Sequence, residues 1–288
     1  MIKSHTEKPN ILVLGDLMID YYLWGKCERI SPEAPVQIVE IEKESSVLGG
    51  AGNVINNLKS LGANVDVISV IGDDLIADEL KLLLSSIGVS SKMLIKEQNR
   101  TTSKKSRIMA SQQQVLRYDK ESVIDINLNS QSQIIDCFQS VIKNYSVVLF
   151  SDYGKGVFTY SLTKELIKIA NKNHVKVLID PKGTDYSKYE GAYLLTPNKK
   201  EAFDATNIKI KNKNSLEKVI IKLKDKCKLS ISLITLSEKG IAIYDDNLRI
   251  YPTVAREVYD VTGAGDTVIA SLGFSLACGD DIDKAVYF

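Results

Sequence analysis

Short apolar runs alternate along this chain with stretches whose apolar residues recur at helical spacing. That alternation restricts the fold more than any other feature of the sequence. Asn10 to Leu14 (NILVL) stops at Gly15-Asp16, as a strand buried on both faces of a parallel sheet would. Residues 51–61 then place Val54, Ile55, Leu58 and Leu61 on one helical face, and Gly62 supplies a stop. Val65 to Ile71 is again strand-like, and residues 75–87 are helical up to Gly88. The same reading predicts helices near 131–144, 160–172 and 215–227, and strands at 146–150, 175–179 and 230–236. Such βαβ succession predicts a layered α/β fold with a mainly parallel sheet. Residues 17–46 and about 91–121 break the pattern. They carry strand-like pieces (VQIVEIE, KSRIMA, QVLRYD) with no helix between them, and SQQQ at 111–114 reads as a hairpin turn. They predict a small antiparallel sheet outside the main one, in the position of a lid.

Charge and composition narrow the functional classes. Lys plus Arg is 37 against 36 for Asp plus Glu, a net charge of +1 over 288 residues. Binding nucleic acid through bulk positive charge is therefore not expected. No run approaches the length of a membrane span, and MIKSHTEKPN lacks the apolar core of a secretory signal. Cys27, Cys137, Cys227 and Cys278 lie far apart and read as free thiols of a reducing cytoplasm. With only His5 and His174, a histidine-rich zinc site or a Ser-His-Asp triad is not expected.

Four motifs carry chemistry. The sharpest is Asp260-Val-Thr-Gly-Ala-Gly-Asp266, followed by an apolar helical run. Gly263, Ala264 and Gly265 would open that helix, where unpaired N–H groups and the helix dipole favour an anion and small residues let a phosphate approach. A carboxylate at Asp266 has no electrostatic reason to touch a phosphate. It fits if it accepts the proton of a hydroxyl attacking that phosphate. The structural alternative is a glycine turn with an acid in the first helical turn. Asp16 and Asp20 form a second cluster, and Gly49-Gly50-Ala51-Gly52-Asn53 a third. Beyond the carboxyl end of a strand, such carboxylates and an amide suit sugar hydroxyls, unless they make only a tight turn and an asparagine cap. The fourth is Asn198-Lys199-Lys200-Glu201, which reads either as a capping box or as a glutamate beside a hydrated magnesium ion. There is no G-x-x-x-x-G-K-[ST], and neither glycine motif completes G-x-G-x-x-[GA]. A P-loop enzyme and an NAD dehydrogenase are therefore disfavoured.

In this order, strand-Gly-Asp, GGAGN, N-x-x-E, TLSEKG at 235–240 and DVTGAGD, the motifs resemble the ribokinase-like (PfkB) sugar kinases from about residue 10 to 280. Within them, RISPEAPV from Arg29, LGGAGN at 48–53, NLKSLGA at 57–63, SDYGKG at 151–156 and IDPKG at 179–183 resemble the D-glycero-β-D-manno-heptose 7-phosphate kinases. The resemblance implies a three-layer Rossmann-like α/β domain spanning 1–288 with a β-lid. It also implies a cytoplasmic enzyme that dimerises through the lid. The reaction would be ATP- and Mg²⁺-dependent phosphorylation of the anomeric hydroxyl, giving the 1,7-bisphosphate for lipopolysaccharide core. Asp266 would be the base and the amides of residues 263–265 the anion hole. Asn198, Lys199, Lys200, Glu201, Ser237 and Gly240 would serve the nucleotide, with Glu201 near the metal. Asp16, Asp20, Gly49, Gly50, Asn53 and Asp152 would hold the sugar. Arg107, Arg117, Lys155 and Lys182 would anchor its phosphate, since guanidinium groups suit phosphate, unless they are ordinary surface cations. Two departures are the missing nucleotidyltransferase domain and an end at Phe288 inside what looks like the penultimate helix, as if the domain were truncated. Other readings are a kinase for fructose 6-phosphate, ribose or a nucleoside, and a non-catalytic binding protein on the same fold.

Overall fold

The computed structural model describes residues 8–110, 113–253 and 263–288. In chain order the first half holds β1 (Asn10–Gly15), β2 (Leu17–Ile30), β3 (Gln37–Gly50), α1 (Ala51–Ser60), β4 (Asn64–Ile71), α2 (Leu75–Ser86), β5 (Leu94–Lys96), β6 (Ser103–Ala110), β7 (Gln113–Lys120) and α3 (Leu128–Val141). The second half holds β8 (Val147–Ser151), α4 (Tyr160–Lys172), β9 (Lys176–Asp180), β10 (Leu194–Leu195), α5 (Lys199–Thr206), α6 (Lys213–Cys227), β11 (Ser232–Thr235), β12 (Ile241–Tyr244), β13 (Leu248–Tyr251), α7 (Ala264–Ala277) and α8 (Ile282–Tyr287).

Six parallel strands form the central sheet in the order β10-β9-β8-β1-β4-β5. Ile11, Leu12, Val13 and Leu14 are all fully buried, because the sheet is covered on both faces. Leu12 and Leu14 pack on the α3–α6 side, Ile11 and Val13 on the side of α1, α2, α7 and α8. This period-2 division of one strand between two cores is what makes the fold three layers. At the far edge, the N–H groups of Ile231 and Thr235 donate to the carbonyls of Tyr193 and Pro197. The antiparallel β11-β12-β13 sheet therefore continues alongside β10.

The predicted outlying sheet is present, with the order β3-β2-β6-β7. It is mixed and not wholly antiparallel. β2 and β6 run parallel, with Asp20 opposite Lys105 and Tyr22 opposite Arg107, while β2/β3 and β6/β7 are antiparallel. Within 91–121, β5 joins the main sheet instead. Residues 111 and 112 of the expected SQQQ turn lie outside the described residues. Among the described residues, no helix is long and apolar enough to cross a membrane.

Most helices start on a capping side chain. Asp74, Asn127, Thr159, Asn198, Asn212 and Asp281 cap α2 to α6 and α8. The two exceptions, α1 and α7, begin on Gly50 (φ +56°) and Gly263 (φ +76°) with no side-chain cap. Both open at the carboxyl end of the central sheet, and at α1 the Ala51 N–H donates to the Asp16 carbonyl oxygen (3.1 Å).

Gly15 sits where β1, β8 and α1 converge. A Cβ there would lie 2.5 Å from the Ser151 carbonyl oxygen and 2.9 Å from the Ala51 Cβ. Gly15→Ala is expected to lower the urea midpoint, at a cost of about 1–3 kcal/mol for the forced backbone shift. An unchanged midpoint would contradict this close approach.

Candidate active site

The carboxyl edge of the sheet begins with Asp16, the residue that links β1 to the lid strand β2. It is 2% exposed. Its carboxylate accepts the backbone N–H groups of Tyr153 (2.8 Å), Lys155 (3.1 Å) and Val157 (3.4 Å). Burial first, then the neighbouring Asp152, pushes its pKa up to about 6, against the pull of those three N–H groups. The geometry makes Asp16 the brace of the 152–157 loop. The sequence reading, which had Asp16 hold the sugar, did not foresee these backbone partners.

Asp152, expected to hold the sugar, likewise has partners within the protein. It is buried, and its Oδ2 accepts Lys188 Nζ (2.6 Å) and the Tyr189 hydroxyl (2.7 Å), while Oδ1 accepts the Gly154 N–H (2.7 Å). Its side chain is turned into the protein. Lys155 Nζ donates to Glu121 (2.6 Å), just beyond β7. The buried Arg100 donates to the carbonyls of Lys155 and Ile124, the latter at 3.2 Å, and pairs with Glu97 (3.5 Å). Both crossings from the body to the β6–β7 arm are thus tied to the loop that Asp16 holds.

Asp266 lies in the first turn of α7, 6% exposed. Asn53 Nδ2, on α1, donates to its Oδ2 (2.8 Å), and the Tyr153 hydroxyl donates to its Oδ1 (2.5 Å). Burial raises its pKa above the ordinary carboxylate value. The hydrogen bonds from Tyr153 and Asn53 pull it back, and the negative charge of Asp20 adds to the rise. The Tyr153 phenol is itself held well above its usual range, by burial first and by the Asp266 carboxylate. It is therefore a donor and stays protonated. A Cβ at Gly263 would fall 2.7 Å from Asn53 Nδ2, so glycine is needed for Asn53 to reach Asp266. Ala264 and Gly265 are exposed. Asp260, Val261 and Thr262 of the motif lie outside the described residues.

From the lid, Asp20 on β2 receives Arg107 Nη1 of β6 at 2.5 Å. A Cβ at Gly49 would lie 2.2 Å from Asp20 Oδ2, so the carboxylate rests on that glycine's backbone. Arg117 stands directly opposite Arg107 in the ladder and binds Asp119 through two hydrogen bonds, of 2.9 and 2.7 Å. Its side chain is 43% exposed. Lys105, one step along β6, bridges Asp119 (3.1 Å) and Glu121 (3.2 Å). Four cations, Lys105, Arg107, Arg117 and Lys155, are therefore linked to Asp20, Asp119 and Glu121 around the mouth of the cleft. Glu28 and Arg29 are exposed towards the outer end of the lid.

At the other end, the capping box is realised. Asn198 Oδ1 accepts the N–H groups of Lys200 and Glu201, and Glu201 Oε2 accepts the Asn198 N–H (3.0 Å). Glu201 Oε1 faces Lys182 Nζ at 3.4 Å, and Lys199 faces Glu238 at 3.7 Å. Ser237 (φ +58°) and Gly240 (φ +91°) shape the turn between β11 and β12. A Cβ at Gly240 would meet the Tyr251 carbonyl at 1.8 Å. Asp180, at the end of β9, is a residue the sequence reading did not place in the site. It accepts the Thr196 hydroxyl (3.1 Å), and a Cβ at Gly265 would lie 3.8 Å from its Oδ2. Burial, then the charges of Glu201 and Asp266, push its pKa up to about 7. The negative charge gathered by Asp180, Asp266 and Glu201 beside the first turn of α7 suits a cation and an anion bound together.

A parallel α/β sheet with an acid in the first turn of a glycine-opened helix, beneath an outlying β-sheet, is the ribokinase-like architecture. Solved structures agree. The Arabidopsis thaliana ribokinase complexed with ribose and ATP matches with a TM-score of 0.73 at 17% identity, covering 97% of this chain and 89% of that one. The Escherichia coli phosphofructokinase-2 in complex with fructose-6-phosphate matches with 0.76 at 18% identity, covering 97% and 90%. The sequence model of the pfkB family carbohydrate kinases matches residues 8–288, and the chain belongs to that family. Membership implies a carbohydrate kinase that uses ATP. The chain is 67% identical to the "Bifunctional protein HldE" of Aliarcobacter butzleri over 283 residues, 98% of this chain and 60% of that protein. It is 54% identical to the protein of the same description from Campylobacter fetus subsp. fetus over 277 residues, again 60% of that protein. The chain thus spans about three-fifths of the relatives' length.

The raised pKa of Asp16 has a measurable sign. The stability this group contributes is fully present below the ordinary carboxylate value of 3.8 and is lost as pH rises through about 6. The unfolding free energy of wild type relative to Asp16→Asn is expected to fall by about 2–3 kcal/mol between pH 4 and pH 7. A difference that does not change with pH would contradict the assignment.

Proposed function

We propose that this chain transfers the γ-phosphoryl group of ATP to the anomeric hydroxyl of D-glycero-β-D-manno-heptose 7-phosphate, giving the 1,7-bisphosphate. The observation that carries the proposal is the Asp266 carboxylate, buried in the first turn of α7 and aimed by donors from two other elements. A hydroxyl brought to it loses its proton to Asp266 as its oxygen bonds to the γ-phosphorus. The bond to the bridging oxygen breaks, and that electron pair leaves with ADP. The N–H groups of the first turn of α7 would face the transferring group and stabilise its charge. A magnesium ion, when bound, would neutralise phosphate charge. Glu201 would hold it through water, in the acidic surroundings it shares with Asp180, while keeping its capping role.

The heptose assignment rests on the RISPEAPV, SDYGKG and IDPKG segments and on the high identity to the HldE proteins. The lid supports a substrate that already carries a phosphate. Arg107 is committed to Asp20, which leaves that pair to the sugar hydroxyls. Among the described residues Arg117 pairs with Asp119 at the rim, so a phosphate would compete with Asp119 for it. The same sheet leaves Trp24, Ile41, Val47, Val115 and Leu116 exposed, which fits a homodimer formed through the lid. The composition and the heptose product both fit a cytoplasmic enzyme.

Mass spectrometry of a reaction with ATP–Mg²⁺ and the heptose 7-phosphate is expected to show the bisphosphate and ADP in equal amounts; no product from this sugar alongside turnover of fructose 6-phosphate would overturn the assignment. Asp266→Asn is expected to lower kcat by roughly 10³-fold or more with ATP affinity within about twofold. Near-normal turnover would remove it from the base role. Arg117→Ala is expected to raise the KM for the sugar phosphate by roughly tenfold or more with a small change in kcat. A loss confined to kcat would count against phosphate anchoring.

A further inference from the structure

The 152–157 loop delivers a side chain to Asp266 that the motifs did not point to. Its backbone is fixed from both sides. Asp16 takes the N–H groups of Tyr153, Lys155 and Val157, and Asp152 takes that of Gly154. Gly154 (φ +66°) and Gly156 (φ +90°) allow the tight path between them. A phenol on so braced a loop has little freedom, and its hydroxyl lands 2.5 Å from Asp266 Oδ1. Asn53 occupies the other oxygen from α1. A carboxylate with one donor on each oxygen has its plane defined and still keeps two acceptor positions, enough to receive a substrate hydroxyl.

We infer that Tyr153 is a positioning residue for Asp266, whose phenol hydrogen bond sets both the orientation of that carboxylate and the pH at which it takes up a proton. The inference rests on the reading of Asp266 as the base, and it adds the group that keeps the base ionised in a buried place. The groups that face Asp266 act in opposite directions. Asp20 of β2, itself paired with Arg107 of β6, favours the protonated acid, while Asp180 of β9 has its own proton affinity raised by Asp266. Asn53 of α1 and Tyr153 favour the carboxylate, and of these two Tyr153 is the larger influence. A charge-assisted hydrogen bond of this kind is among the stronger ones available to a side chain. With the phenol removed, burial and Asp20 act against Asn53 alone, and Asp266 holds its proton to higher pH.

The test follows the carboxyl carbon of Asp266 directly. Protein labelled with ¹³C at the aspartate carboxyl groups is titrated by NMR, and the Asp266 signal is assigned by its loss in Asp266→Asn. In Tyr153→Phe that signal is expected to titrate at clearly higher pH than in wild type. The acid limb of kcat, measured with ATP–Mg²⁺ and the heptose 7-phosphate, is expected to move the same way. Near the wild-type limb kcat should fall by roughly tenfold or more, with the KM for ATP within about twofold. An Asp266 signal that titrates identically in both proteins, or a loss of kcat equal at every pH, overturns the role. Site-specific 3-fluorotyrosine at position 153, a stronger donor of nearly the same size, covers the case in which the phenylalanine variant does not fold. It is expected to move the titration to lower pH, and an unmoved or raised titration overturns the inference. The base reading fails separately, through an Asp266→Asn protein that still turns over; the NMR titration does not depend on that outcome.

Discussion

The buried carboxylate of Asp16 is the interaction on which the rest of the site depends. It ends the central strand of the sheet, starts the lid, and draws the N–H groups of Tyr153, Lys155 and Val157 onto itself. Everything placed by that loop is placed by Asp16. Tyr153 reaches Asp266, Lys155 reaches Glu121 at the base of the lid, and the Lys155 carbonyl takes Arg100 from the crossing that leads into β6. A carboxylate buried here is unfavourable for stability at neutral pH. In return the loop that supports Asp266 gains a fixed backbone, which a neutral apolar residue at position 16 would not provide.

The same opposition recurs across the site. Asp16, Asp180 and Asp266 are all pushed towards the protonated form by burial and by nearby acids. Among them, Asp266 alone has neutral side-chain donors on both carboxyl oxygens, and it is the one that chemistry requires ionised. The acidic character of the sheet edge is arranged around open N–H groups of α7. A nucleotide phosphate with its cation meets complementary charge there, and the sugar side is left to Asp20, Arg107 and Arg117. The lid cations are already ion-paired in the chain by itself. On the proposed reading, binding of a phosphorylated sugar would be an exchange of anions at Arg117, which would favour substrates carrying that second charge.

Elements with a clear period were legible in the sequence. α1, α2, α4 and α6 lie within two residues of the expected ranges at each end, as do β1, β4, β8 and β9 of the central sheet, because burial on two faces leaves continuous apolar runs, whereas the short edge strands β5 and β10 were not foreseen there. Long-range pairings were not. The parallel contact of β2 with β6 joins segments some 85 residues apart, and hairpin-like sequence at 103–120 says nothing about it. Asp266, Asn53 and Gly263 were found from glycine motifs, since the constraint on backbone approach leaves a local signature. For Asp16 and Asp152 the sequence did not show the protein partners that they have. A strand-end aspartate reads the same whether it faces a ligand or a backbone amide. Tyr153 lay inside the SDYGKG motif, but its role did not show there, since its partner lies 113 residues away. Asp180 had one that went unused, an acid closing an apolar strand in the same way as Asp16.

The account turns on where the acid of α7 stands relative to the reacting oxygen. A crystal structure of the chain with heptose 7-phosphate and a non-hydrolysable ATP analogue measures this directly. The anomeric oxygen is predicted to lie within about 2.6–3.2 Å of an Asp266 carboxyl oxygen, in line with the γ-phosphorus, while the Tyr153 and Asn53 hydrogen bonds persist. A sugar whose nearest hydroxyl to the γ-phosphorus sits beyond reach of Asp266, or is held by a different acid, would contradict it.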